Sequence, residues 1–158
     1  MNKVITMMPL ADYPQFVPVI ASWVFDHWGK MYRMTSVDEQ IGKISERLNK
    51  DRFPMAFVAM KGPEPVGTAS LKIQEMTTHK HLYHWLGTVY VVPGCRKMGI
   101  GTALVRQAEM KAKELGVESL YLHTPDMERF YAKRGWVAID GPVYFDMPVV
   151  VMEKVLII

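Results

Sequence analysis

The residues whose types and spacing most clearly suggest a binding site lie between Arg96 and Gly101, directly after an apolar run. The segment is predicted to be a strand, a tight loop and a helix start in succession. The first turn of a helix has unpaired amide donors and a partial positive charge, which together bind phosphate. Gly99 and Gly101 remove side chains where the backbone must approach such an anion, and Arg96 and Lys97 add positive charge. The pattern predicts a phosphate or pyrophosphate cradle.

Two common phosphate-binding motifs do not fit this spacing. Gly94 to Gly99 match the first part of a Walker A loop, but Ile100 and Gly101 stand where Lys and Ser or Thr are required, which disfavours a nucleotide triphosphatase. A dinucleotide fingerprint fails because Leu104 takes the place of its third glycine. The remaining alternative is a turn that two glycines merely shape. The neighbouring arginine, the preceding strand and the long helix favour the anion site.

Hydrophobic periodicity predicts the elements that position the cradle. Ser36 and Glu39 have the spacing of a capping box that begins the second helix. Thr124 is the predicted cap of the fourth helix, with Pro125 in its first turn. Three helices are predicted from apolar stripes within residues 16–24, 37–48 and 104–115, and a short fourth helix is predicted to end at Gly135. Strands are predicted over residues 4–8, 55–60, 66–73, 86–92, 119–123, 136–139 and 149–155.

The length and a composition of 49% hydrophobic and 22% charged residues predict one soluble domain over residues 1–158. The order of the predicted strands and helices predicts a mixed α/β sheet. No apolar run is long enough to span a membrane, and the N-terminus lacks the apolar region of a secretory signal. The single cysteine, Cys95, cannot form an internal disulfide, so the cytoplasm is the expected location. A net charge of +3, evenly spread, does not favour a nucleic-acid partner.

The segment Arg96-Lys97-Met98-Gly99-Ile100-Gly101 resembles the R/Q-x-x-G-x-G/A acetyl-CoA signature of the GNAT superfamily of N-acetyltransferases. The resemblance extends through Val-Tyr-Val-Val-Pro before it and to residues 122–126 after it. Residues 130–136 are similar to the family's F-Y-x-K/R-L/x-G-F/W helix ending. The resemblance covers essentially the whole chain and implies the GNAT fold, a central mixed β-sheet flanked by about four helices. It also implies acetyl-CoA as co-substrate and no metal.

The resemblance implies a set of residues that bind acetyl-CoA. The strand over 89–91 would splay from its neighbour and pair with the pantetheine arm, and a backbone N–H such as that of Val91 would polarise the acetyl carbonyl. Many members carry Asn where this chain has Thr124, so the cofactor contact there departs from the family pattern. The implied residues are Val89, Tyr90, Val91, Arg96, Lys97, Met98, Gly99, Ile100, Gly101, Thr102, Thr124 and Tyr131.

Acetyl transfer to an amine requires a neutral amine, a donor for charge that develops on the carbonyl oxygen, and an acid for the leaving thiolate. Direct attack in a ternary complex needs no covalent intermediate, because proximity supplies much of the acceleration. Tyr131 matches the family's frequent general acid, with core packing as the alternative. Glu75 or His84 is the candidate base. Trp28 and Tyr32 are candidates for the acceptor pocket or, equally, for unbroken packing.

The predicted function is therefore acetyl transfer to a primary amine of a small molecule or peptide. The main alternative is a non-catalytic acyl-CoA-binding or sensing module on the same fold, and a small nucleic-acid-binding regulator is a weaker one. His79, His81 and His84 do not predict a metal site, because no cysteine or carboxylate lies at ligand spacing, and a solvated loop is favoured. The apolar end Val155–Ile158 is predicted either to join a homodimer interface or to finish the sheet.

Overall fold

The computed structural model describes residues 4–157. One sheet contains seven strands, and a separate short hairpin contains two. The strands are β1 (Ile5–Pro9), β2 (Met55–Lys61), β3 (Glu64–Lys72), β4 (Trp85–Val91), β5 (Ser119–Thr124), β6 (Val137–Asp140), β7 (Val143–Tyr144), β8 (Met147–Pro148) and β9 (Val150–Val155). The helices are α1 (Val17–Trp28), α2 (Val37–Ser45), α3 (Ile100–Glu114) and α4 (Glu128–Ala132), with single 3-10 turns at Leu10–Asp12, Pro14–Phe16 and Pro93–Cys95.

The main sheet has the order β1-β2-β3-β4-β5-β9-β6. All its neighbouring strands are antiparallel except β4 and β5, which are parallel. Among the described residues, β4 and β5 have one pair of facing positions, Trp85 and Tyr121. The two strands therefore meet at one end and diverge beyond it, which opens the centre of the sheet.

The two faces of the sheet carry separate cores because successive side chains of a strand point to opposite faces. On β2, Phe57 and Ala59 pack with Leu104 of α3, whereas Val58 and Met60 pack with α1 and α2. A third, smaller core forms around Trp85, next to the β7–β8 hairpin. The mixed α/β sheet with four helices agrees with the predicted fold class.

The first two helices differ in detail from their predicted patterns. Val19 was predicted on the apolar face of α1 but is 38% exposed, and Val17 and Ala21 are buried instead. The Ser36 hydroxyl accepts the Glu39 N–H at 3.0 Å, as a cap should. The second half of the capping box is missing, because the Glu39 carboxylate accepts a hydrogen bond from Thr35 and not from the Ser36 backbone.

The fourth helix begins later than predicted. Thr124 is still in β5, and α4 starts only at Glu128. Because Pro125 follows it, Thr124 is restricted to extended backbone. Its hydroxyl accepts the backbone N–H groups of Asp126 at 3.4 Å and Met127 at 2.9 Å, which shapes the turn before the helix and does not cap it.

The last strand also lies elsewhere than its sequence position suggests. We predicted that the strand over 149–155 would close the sheet, but β9 lies between β5 and β6, and β6 forms the edge. The β7–β8 hairpin was not predicted at all. At the chain end, Val155 pairs with Ser119 and so finishes β9, while Ile158 lies outside the described residues. The homodimer stays a prediction. Within residues 4–157, no helix is both long and apolar enough to cross a membrane.

Candidate active site

A cavity of about 900 Å³ occupies the gap between the diverging strands β4 and β5. It runs from the N-terminus of α3 to the end of α1 and the β7–β8 hairpin. All the predicted cofactor and acceptor residues except Met98 line this cavity. Of the two predicted bases, Glu75 lines it and His84 does not. The cavity walls include Trp28, Tyr32, Glu75, Val89, Tyr90, Val91, Arg96, Lys97, Gly99, Ile100, Gly101, Thr102, Thr124 and Tyr131.

One end of the cavity, which we call the cradle end, is formed by the loop and first turn of α3 over residues 96–102. The first backbone hydrogen bond of the helix runs from the Ala103 N–H to the Gly99 carbonyl at 3.0 Å, so the amides before it have no helical partner. Gly99 has a φ of +82°, which favours glycine. A Cβ at Gly101 would lie 3.8 Å from Phe130, so the helix backbone is open toward the cavity. This arrangement fits a phosphate anion.

Two arginines flank the cradle end. The Arg96 Nε donates to the Val91 carbonyl at 2.9 Å. Arg134 donates to the Thr102 hydroxyl from Nε at 3.0 Å and from Nη2 at 2.6 Å, and its guanidinium lies 3.7 Å from the centre of the Phe130 ring. The sequence places Arg134 in the helix-ending motif, and nothing in its spacing indicates that it brings a positive charge to the first turn of α3.

The orientation of the Val91 backbone follows from its neighbour. The Val92 N–H donates to the Val66 carbonyl at 2.9 Å and so points toward β3, whereas the Val92 carbonyl accepts from the Cys95 N–H at 2.9 Å. Successive residues of a strand point their N–H and C=O groups to opposite sides. Those of Val91 therefore point into the gap, and its carbonyl is the one that accepts from Arg96. The Val91 N–H is thus a donor directed at the open space between β4 and β5.

Tyr131 lies on α4 at the edge of the cavity and is 9% exposed. Its ring packs at 5.0 Å from Phe130 and 6.0 Å from Trp136, so the predicted core packing is real. Burial raises the pKa of Tyr131 to about 12, an effect that Arg134 opposes and Asp126 reinforces. The phenol is therefore protonated at neutral pH and can donate a hydrogen bond into the cavity.

Glu75 lines the opposite end of the cavity, which we call the acceptor end. Its Oε2 lies 2.7 Å from Lys72 Nζ, and its Oε1 lies 3.8 Å from His123 Nε2. Burial alone would raise the pKa of Glu75, but Lys72 and His123 together hold it well below its usual range. The carboxylate is therefore ionised at neutral pH and weakly basic, which suits an orienting group better than a proton acceptor.

The structure brings a different histidine to the site from the one predicted. The His84 ring packs 4.9 Å from Phe53 and does not line the cavity. His123 does line it, next to Glu75, and among the described residues its buried Nδ1 has no hydrogen-bond partner. His123 belongs to the family-like segment 122–126 and was not predicted as a base. An alternating strand pattern could have indicated that it shares a face with Tyr121.

Aromatic rings line the rest of the acceptor end. Tyr32 lies 5.7 Å from His123 and 5.6 Å from Phe145 of the β7–β8 turn. Burial, reinforced first by Glu75, raises the pKa of Tyr32 to about 12. Trp28 lies 6.1 Å from Tyr90. Both predicted acceptor residues are therefore packed and also line the cavity, so the two alternatives for them are not exclusive.

The histidine-containing loop before β4 is exposed at Lys80, His81 and Tyr83, as expected for a solvated loop, but His79 departs from that expectation. His79 is buried, and its Nε2 lies 2.7 Å from the Asp140 carboxylate, which has its pKa lowered by this contact. The described residues contain no cluster of three or more His, Cys, Asp or Glu side chains suited to a metal ion.

A model of the acetyltransferase (GNAT) family matches residues 17–136, which is most of the chain. The chain belongs to the GNAT acetyltransferase family. This confirms the family resemblance and the enzyme class that follows from it. A curated relative, the aminoalkylphosphonate N-acetyltransferase of Salmonella typhimurium, is 34% identical over 86 residues. That match covers 50% of this GNAT chain and 54% of the relative, so the chain spans about half the length of the curated relative it matches.

Solved structures of the family have the same fold as this GNAT chain. An aminoglycoside 6'-N-acetyltransferase complexed with coenzyme A has a TM-score of 0.74 at 20% identity, over 98% of this chain and 97% of that one. A Salmonella typhimurium structure with its cofactor acetyl-CoA has a TM-score of 0.73 at 15% identity, over 96% and 94% of the two chains. At these identities the likeness shows the fold, which confirms the predicted GNAT architecture.

Proposed function

We propose that this GNAT enzyme transfers the acetyl group of acetyl-CoA to a primary amine of a small molecule or peptide, by direct attack in a ternary complex. The observation that carries the proposal is one cavity that holds the free amides of α3, the Val91 N–H and the Tyr131 phenol. The relatives support it, because two of them were solved with coenzyme A or acetyl-CoA and one is named for acetylating an aminoalkylphosphonate.

The cradle end would hold the pyrophosphate of the co-substrate. The N–H groups over residues 100–102 point to the anion, and Arg96 and Arg134 stand on either side of it. Lys97 adds a further positive charge at the same wall. Bound acetyl-CoA supplies an activated acetyl group as a thioester. Because the cradle uses backbone donors, its fit depends on the absence of side chains at Gly99 and Gly101.

The Val91 N–H would stabilise the oxygen of the acetyl group as negative charge develops there. The nitrogen–carbon bond forms and the carbon–sulfur bond breaks. The attacking amine gives up its proton to His123, which Glu75 orients through the 3.8 Å contact. A base is required because an aliphatic ammonium group has a pKa of roughly 10 and carries a proton at neutral pH.

Tyr131 would assist the departure of the sulfur. Its pKa of about 12 lies above the roughly 8.5 of a thiol, so complete proton transfer to the thiolate is unfavourable in the resting site. The phenol therefore acts as a hydrogen-bond donor that stabilises the developing thiolate. A thiolate beside the phenol disfavours its ionisation further, so coenzyme A leaves as the thiolate and takes its final proton from solvent.

Acetyl-CoA binding tests the cradle end. We expect calorimetry to show binding to the wild type and none to the Gly101→Glu variant, because the new carboxylate would occupy the place of the phosphates. Gly94→Glu is the matched control, because a Cβ at Gly94 meets nothing within 4 Å and the residue does not line the cavity. Equal binding by all three proteins would refute the cradle.

Turnover tests the transfer step. Release of free coenzyme A is measured with a panel of primary amines and checked by mass spectrometry of the acetylated product. Acetylation of at least one amine, lost in Gly101→Glu and kept in Gly94→Glu, is the expected result. Binding of acetyl-CoA without turnover on any amine would favour the acyl-CoA-sensing module instead.

A further inference from the structure

The acceptor end contains a buried guanidinium without an acidic partner. Arg47, just after α2, is 8% exposed and lines the cavity. Its Nη1 donates to the Ser70 hydroxyl at 3.1 Å, and it takes part in none of the ion pairs among residues 4–157. Burial lowers the pKa of Arg47, and the charges of Glu75 and then Glu46 oppose this lowering. A buried charge of this kind is costly unless something pairs with it.

A second buried polar group of the cavity wall also lacks a partner. Gln40 of α2 is 3% exposed and lines the same cavity. Among the described residues its Nε2 is buried without a hydrogen-bond acceptor. An unpaired buried donor costs free energy comparable to a lost hydrogen bond. Gln40 and the part of the Arg47 guanidinium that Ser70 does not engage therefore both present donors to the cavity.

The other charged side chains of the acceptor end add to the positive charge of Arg47. Lys43 and Lys72 line it together with Arg47, whereas Glu75 is its carboxylate and is already paired with Lys72. Lys43 is itself partly engaged, because its Nζ lies 3.5 Å from Glu39. Asp126 lines the cavity as well, beyond the end of β5. The acceptor end therefore carries an excess of positive charge, although the co-substrate's phosphates belong to the cradle end.

Arg47 is held at a defined place along β4. Its partner Ser70 accepts a second hydrogen bond, from the Thr88 hydroxyl, at 2.8 Å. Thr88 precedes Val91 by three residues, which is at most about 10 Å along a strand, because β4 is irregular at Thr88, where φ is +48°. A short molecule with an amine at one end and an anionic group at the other matches this spacing.

We propose that the acceptor is a short primary amine that carries an acidic group, and that Arg47 and Gln40 bind this group while the amine faces the Val91 N–H. A guanidinium matches the paired oxygens of a phosphonate or carboxylate, and the Gln40 amide adds a further donor. Both acids share this chemistry. An amine with further positive charges is repelled from the same region. This inference rests on the proposed acetyl transfer.

The test compares kcat/KM for four amines of similar length: aminoethylphosphonate, β-alanine, propylamine and diaminopropane. For the wild type we expect the two acidic amines to be used best and diaminopropane least. Arg47→Met should lower kcat/KM for the acidic amines roughly 10- to 100-fold, the range of a charge-assisted hydrogen bond. Propylamine should stay within about twofold of the wild-type value. The ratio of kcat/KM for aminoethylphosphonate to kcat/KM for β-alanine shows which acidic group the site prefers.

Arg52→Met is the matched control, because Arg52 is exposed and does not line the cavity. Gln40→Leu is a second variant in case Arg47→Met does not fold. It should also lower kcat/KM for the acidic amines relative to propylamine, but by a smaller factor. Preference of the wild type for propylamine or diaminopropane would overturn the inference and leave acetyl transfer standing.

A separate binding measurement distinguishes failure of this inference from failure of the proposed function. Aminoethylphosphonate is titrated calorimetrically into the wild type and Arg47→Met, both saturated with coenzyme A. Binding that the variant loses supports the anion site even if no amine in the panel is acetylated. Absence of binding to the wild type overturns it.

Discussion

The two ends of the cavity are built in different ways. At the cradle end, all the donors except Arg134 belong to one stretch of chain, residues 91–102, and most of them are backbone amides. At the acceptor end, the polar groups are side chains from separate segments, among them Arg47 after α2, Glu75 after β3 and His123 in β5. The first arrangement can bind the same anion in many family members, because it depends little on side-chain identity.

This difference indicates that selectivity for the acceptor amine resides in the side chains of the acceptor end. Backbone amides recognise a phosphate by charge and shape, and any sequence that forms the loop supplies them. Choice of acceptor depends on which side chains the fold brings together around Glu75. Substitutions at the acceptor end should therefore change which amine is used and how fast, and substitutions at the cradle end should change acetyl-CoA affinity.

The largest effect after loss of the cradle is expected at His123. His123→Asn should lower kcat/KM about 10²- to 10⁴-fold at neutral pH, because the amine then lacks a proton acceptor. Activity of the variant should recover as the pH rises toward the amine pKa of roughly 10. The measurement is a pH–rate profile, with His84→Asn as control because His84 lies outside the cavity. Equal losses in both variants would contradict the assignment.

Tyr131 lies between the two ends and should affect the rate alone. Tyr131→Phe keeps the ring against Trp136 and removes the hydroxyl, so kcat should fall about 100-fold, as for loss of one placed donor. The dissociation constant of acetyl-CoA should change little. Tyr121→Phe is a matched control, because the Tyr121 hydroxyl donates to Glu153 at 3.1 Å. Unchanged turnover by Tyr131→Phe across pH would remove Tyr131 from the mechanism.

A smaller effect is expected where side chains support the cradle. Thr102→Val removes the hydroxyl that accepts two hydrogen bonds from Arg134. Acetyl-CoA should bind about 3- to 10-fold more weakly, the range of a single net hydrogen bond, with kcat unchanged. Calorimetry measures the affinity. A selective change in amine preference, without a change in affinity, would break the division between the two ends.

The smallest effect concerns the pH dependence of stability. Glu75 has an ordinary pKa of 4.5 that is lowered in the folded state, where Lys72 and His123 overcome the opposing effect of burial. Its contribution to the free energy of unfolding is therefore full above pH 4.5 and is lost as the pH falls through the folded pKa. Glu75→Gln should show a shallower loss of stability below pH 4.5 in urea titrations. A slope equal to that of the wild type would show that Glu75 is not coupled to folding.

Most of the fold was predictable because each element carries its own local pattern. The alternating strand β5 and the amphipathic helix α3 agree with the predicted ranges to within a few residues. The start of α4 was wrong because the Thr124 hydroxyl binds the N–H groups of Asp126 and Met127 in a turn, as a cap would, yet the chain enters the helix only at Glu128. The position of β9 in the interior of the sheet was not predictable, because strand order depends on which distant segments pair.

The sequence by itself determined the cradle, the family and the residues on either side of the strand gap, since glycine spacing, charge and a strand-to-helix turn are all local. Folding across distant segments places His123, and not His84, at the cavity wall, and it leaves Gln40 and part of the Arg47 guanidinium there without an acceptor among residues 4–157. The physical reason is that these groups meet through packing of α2, β3 and β5 across the sheet. Contacts between segments so far apart leave no spacing in the sequence that would reveal them.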